Sequence, residues 1–134
     1  MGCWNTGLNS YQKWNVGNTL RTLLLKDKSI KDQIGNNIFP CVAPEKTDGD
    51  FIVYKRLKYS KSASKMGVYE DECQILFVVV SDNYDDSIKL AEKIDNVLTG
   101  FAQIENIRLK ITLVDSSESF EDNKYIQEII FKVD

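Results

Sequence analysis

Apolar residues first fall into a helical rhythm at Val16, Leu20, Leu23 and Leu24, the i, i+4, i+7, i+8 spacing that places them on one face of a helix. Asn18 or the turn around Gly17 is the expected cap. Ile30 and Ile34, one turn apart with Gly35 behind them, predict a short second helix. The two prolines, Pro40 and Pro44, bias the residues before them away from helix, so 38–44 should be extended. Residues 51–59 alternate between apolar and polar, and 69–80 alternate and then become wholly apolar, which predicts two strands. The polar stretch 60–68 should be the loop between them.

Setting these strands antiparallel with Phe51 against Phe77 and Tyr59 against Tyr69 brings opposite charges together. Arg56 then lies across from Glu72, and Lys58 across from Glu70. A helix follows over 83–98, with Tyr84, Ile88, Ala91, Ile94 and Leu98 as its apolar stripe, Asp82 or Asn83 as its cap and Gly100 as its end. The last strands are expected at 107–114 and 125–133, joined by a long acidic loop over 115–124, with Ile107, Leu109 and Ile111 on the same side as Ile129, Phe131 and Val133. The order α-α-β-β-α-β-β predicts an α+β fold: a four-stranded, mainly antiparallel sheet with helices packed mainly on one face.

Residues 1–15 show no period and carry Trp4 and Trp14 among Asn, Ser and Gly, so they are expected to be an extension ahead of a single domain over 16–134. A chain of 134 residues divides poorly into two robust cores. Its 17 basic and 20 acidic residues give a net charge of -3, which opposes a surface built throughout to neutralise phosphates. The longest apolar run, Ile75 to Val80, cannot span a bilayer, and the N-terminus lacks a signal-peptide pattern; no membrane role is expected. Met1-Gly2-Cys3-Trp4-Asn5-Thr6 fits the short myristoylation pattern formally, but that pattern matters only in a eukaryotic host.

The chain has no histidine, which removes the commonest general base and metal ligand and with them the Ser-His-Asp and Cys-His arrangements. Its three cysteines, Cys3, Cys41 and Cys73, are too few and too scattered for a disulfide framework or a zinc site. No glycine-rich phosphate loop occurs. Three acidic pairs each have a structural explanation: Asp85-Asp86 opens a helix, Glu70 and Glu72 face cations across a strand pair, and Glu121-Asp122 lies in a loop. No enzyme, cofactor or metal is therefore expected.

One basic run remains, with Lys55, Arg56, Lys58, Lys61 and Lys65 interleaved with Tyr54 and Tyr59. A small nucleic-acid-binding module using the hairpin 55–65 would look like this. With two of the cations paired to glutamates, a protein-contact arm is the better reading, and specific nucleic-acid binding is not expected. Exposed aromatic and basic positions then give the candidate subunit or partner interface: Trp4, Trp14, Tyr59, Lys61, Lys65, Met66 and Tyr69.

Several stretches resemble the tail-completion, or tail-terminator, family of long-tailed bacteriophages. They are Leu20-Arg21-Thr22-Leu23-Leu24, Ile34-Gly35, Asn37-Ile38-Phe39-Pro40 with Val42-Ala43-Pro44, and Phe51-Ile52-Val53-Tyr54-Lys55-Arg56. The strand from Cys73 to Val80, the helix over 87–98 with Gly100, and an alternating terminal hairpin continue the likeness across roughly residues 16–134. The succession from helix through Ile-Phe-Pro-x-Val-Ala-Pro to strand carries most of it. The resemblance implies a structural protein without catalytic residues, which forms a ring with itself, often a hexamer, at the head-proximal end of the tail. Its implied partners are tail-tube and head-connector proteins, and its implied place is the virion tail, after assembly in the bacterial host cytoplasm. The tryptophan-bearing extension and the acidic hairpin depart from the usual pattern.

Overall fold

A computed structural model describes residues 14–63, 69–104 and 107–133; at 61–63, 69–71, 103–104 and 107 it describes the backbone alone. Helix α1, Val16–Lys26, buries Val16, Leu20 and Leu24 completely, as their spacing requires. Asp27 separates it from α2, Lys28–Ile34, and caps α2 by accepting the Ile30 N–H at 3.0 Å. Gly35 ends α2 with φ 63°, the left-handed conformation open to glycine, while its N–H donates to the Lys31 carbonyl at 2.7 Å. Helix α3, Tyr84–Leu98, is capped by the Asn83 side chain, which accepts the Asp86 N–H at 3.1 Å. Asp85 and Asp86 lie in its first turn, at the positive end of the helix dipole.

The strands are β1 (Ile38–Pro40), β2 (Phe51–Ala63), β3 (Tyr69–Ser81), β4 (Gly100–Ile104), β5 (Ile107–Glu121) and β6 (Lys124–Val133). They form one six-stranded mixed sheet in the order β1-β2-β3-β6-β5-β4, which corrects the expected four-stranded, mainly antiparallel sheet. Both added strands are edges. Three residues including Pro40 are too few to show alternation, yet β1 pairs parallel with β2. Five residues directly after α3 form β4. Helix α3 carries the chain from β3 to the far edge, and β4, β5 and β6 then return as a meander that docks β6 on β3.

Two further corrections concern register. Phe51 pairs with Val80, three residues beyond the expected Phe77, and a bulge at Leu57 moves the pairing by one more. Arg56 therefore lies opposite Ile75, and Lys58 opposite Gln74. The odd shift turns Ile52 and Tyr54 inward, where both are buried, because apolar packing of β2 outweighs exposed charge pairs of small net worth. The expected loop at 115–124 is mostly strand: β5 runs to Glu121, and the reversal needs only Asp122 and Asn123, with φ 52° and 62°. Two successive positive-φ residues make the twist-matched hairpin turn.

The three described helices pack on one face of the sheet, over a core that includes Cys73, Ile75, Phe77 and Val79 of β3 and Ile129, Phe131 and Val133 of β6. Phe77 and Phe131 meet edge to face, 5.9 Å between centroids. The stripe of α3 is turned from the expected one: Ser87, Leu90, Ile94 and Leu98 are buried, whereas Tyr84 and Ile88 are exposed. On the other face Phe39, Phe51, Val53, Leu76, Val78, Val80, Ile126 and Ile130 line up across four strands, mostly half-buried by one another. No described helix covers them.

Candidate assembly surfaces

At the β2 side of the helical face, Trp14 stands just ahead of α1 and is 61% exposed. Its ring meets Tyr59 edge-on, 5.8 Å between centroids, and the Arg56 guanidinium lies 4.0 Å from its centroid while donating to the Trp14 carbonyl at 3.2 Å. The bulge at Leu57 makes this possible, because the extra residue brings both Arg56 and Tyr59 onto the helix side of β2. Lys58 forms a 2.9 Å ion pair with Glu72, which holds the Glu72 carboxyl below its usual range through that hydrogen bond and charge. Lys55 and Arg56 have no acidic partner among the described residues.

Of the residues expected at an interface, the structure brings Trp14 and Tyr59 together. Lys61 and Tyr69 lie on β2 and β3, where the backbone alone is described, and Trp4, Lys65 and Met66 fall outside the described residues.

On the opposite flank a groove runs between α3 and the β5–β6 hairpin. One part, about 250 Å³, is walled by Ile88, Ala91, Glu92 and Asp95 of α3 and by Leu113 and Gln127 across from them. A second hollow, about 280 Å³, is bounded by Tyr84, Glu118 and Phe120. Phe120 and Tyr125 stack at 4.8 Å, and Tyr84 lies 5.5 Å from Tyr125. Tyr84 donates to Glu118 at 3.1 Å, and that carboxylate holds the phenol above its usual range. The walls thus carry Glu92, Asp95 and Glu118 without a cation. Beside it Leu113, Val114 and Phe120 are 39%, 48% and 56% exposed, a mark of this surface that the structure alone reveals.

A polar network, absent from the sequence reading, ties elements together beneath α2. Asp50 accepts from Ser81 at 2.7 Å and from Gln33 at 2.8 Å; Lys93 donates to Gln33 at 2.9 Å, and the Ser81 hydroxyl accepts the Asn83 N–H at 3.1 Å. Each group is satisfied internally, so the network is mechanical support for the start of α3. Among the described residues no group of three His, Cys, Asp or Glu side chains is placed to hold a metal, and no helix is long and apolar enough to cross a membrane.

No family model matches the chain, and no curated protein matches it. Among solved structures it is similar to a chain described as "Virion of native gene transfer agent (GTA) particle", with TM-score 0.68 and 11% identity over 85% of this chain and 89% of that one. At that identity the likeness is one of fold, shared with a chain of a gene transfer agent virion.

Proposed function

We propose that this protein is a structural, non-enzymatic component of a phage or phage-like particle, and within it the tail-completion protein, a ring at the head-proximal end of the tail that joins tail to head. The carrying observation is the fold likeness to a virion chain over nearly the whole of both chains. The run from helix through Ile38-Phe39-Pro40 and Val42-Ala43-Pro44 into β2 supports the finer assignment. The domain that does this spans 16–134, with 1–15 as an N-terminal extension. Engagement of Lys58 by Glu72 and of Arg56 by Trp14 favours protein contact over phosphate contact at the basic strand. The test is to mix the purified protein with tail tubes lacking their end ring and to image them. Density at the tube end is expected; bare ends on intact tubes would defeat the assignment.

A further inference from the structure

We propose that the acidic groove between α3 and the β5–β6 hairpin receives the Trp14–Arg56 flank of a second copy of this chain, so that copies join head to tail. The inference rests on the ring reading above and gives it a specific contact.

Three observations carry it. The groove and the flank lie on the same helical face but on opposite sides of the sheet, since β3 and β6 separate β2 from β5. A contact between two different patches repeats from copy to copy, as a ring demands, whereas a self-complementary patch stops at a pair. The chemistry also matches. Glu92, Asp95 and Glu118 offer negative charge beside the apolar Ile88 and Leu113, while the flank offers the Arg56 guanidinium, not neutralised by an acid among the described residues, against an exposed tryptophan. Trp and Arg are the residues that most often anchor protein interfaces. Finally, the two bulges fall within these two surfaces. Leu57 lies between Arg56 and Tyr59, and Val114 between Leu113 and Ser116. Bulges re-aim side chains beside working sites.

The experiment uses charge reversal on the full chain, with circular dichroism to verify folding and sedimentation velocity to read mass. Glu92→Lys with Asp95→Lys makes the groove basic, and Arg56→Glu makes the flank acidic. Each altered protein should need at least about tenfold higher concentration to associate than the wild type. A chain carrying both sets should regain association, because its basic groove now meets an acidic flank. Trp14→Ala should weaken association without changing its salt dependence. Wild-type protein that stays monomeric up to about 1 mM overturns the proposal, as do altered proteins that associate like the wild type or folded double-set protein that stays apart. Altered proteins that still associate but no longer occupy tube ends would assign the groove to the tail-tube protein instead, which also overturns it. Wild-type and altered proteins that cap tubes equally would remove this contact and leave the tail-completion reading standing; association through these surfaces without capping would do the reverse.

Discussion

Asp50 sits where β2 begins, yet its carboxylate holds Ser81 at the end of β3 and Gln33 of α2 at once. Asp50→Ala should therefore cost about 2–3 kcal/mol, because it leaves the fully buried Ser81 hydroxyl without its acceptor; urea midpoints measure this, and a loss below about 0.5 kcal/mol would show the network to be dispensable. Gly17 matters by what it lacks. A Cβ there would come within 3.0 Å of the Tyr54 ring, which is pinned by its 2.7 Å hydrogen bond to Asn18 and its packing 6.1 Å from Phe77. Alanine at this helical position, ordinarily a gain of about 1 kcal/mol, should instead be a net loss of about 1 kcal/mol. Tyr54 also sets a pH limit. Burial lifts its hydroxyl above the ordinary value of 10.0, an effect that the Arg21 charge partly opposes. A folded pKa above the unfolded one contributes stability that is complete below pH 10 and declines as pH rises through the folded value. Stability should fall above pH 10, and Tyr54→Phe should flatten part of that fall while sacrificing the bond to Asn18.

Among the elements, the β5–β6 hairpin depends on two residues in the left-handed region, Asp122 and Asn123. Asn123→Gly should preserve or improve thermal stability, whereas Asn123→Val should lower it by about 1–2 kcal/mol, since a β-branched side chain opposes positive φ. Equal melting temperatures for the two would contradict this. The same hairpin shows where pattern fails. Ser116, Ser117, Glu118 and Ser119 are polar on both faces and exposed, so no alternation marks the strand. The helices were legible since apolar spacing and stop signals are local, as with Val16, Leu20 and Leu24, Gly35 and Asn83. The first cap was not, since α1 starts after Asn15 and contains Gly17 and Asn18, nor were the cap at Asp27 and the upper part of the α3 stripe. Register was not: charges suggested one pairing of β2 with β3, and burial of Ile52 and Tyr54 decided another. Of the assembly surfaces, Trp14 and Tyr59 stood out as aromatics in polar company, but the groove joins residues of α3, β5 and β6 and leaves no mark in sequence order.

At the scale of the whole molecule, the sheet has two strong central strands and two weak margins. Hydrogen exchange should be slowest in β3 and β6, paired on both sides, and fast in the three-residue β1 and the five-residue β4. Protection of β4 equal to that of β6 would mean that the margins are held by something other than the strand ladder. The bulges at Leu57 and Val114 have a consequence for the proposed ring that concerns arithmetic more than affinity. Every copy in a closed circle turns its successor through one revolution divided by the number of copies, and that angle is fixed by how the two contact surfaces are aimed on one twisted sheet. Each bulge adds one residue of bend and twist close to one of those surfaces. Deleting Leu57 would keep Arg56, Lys58 and Tyr59 on their present faces while straightening the strand between them. The contact chemistry would survive, but the angle would not, and the circle would close at a different copy number or open into a helix. A single inserted residue would then serve this fold as its counting device.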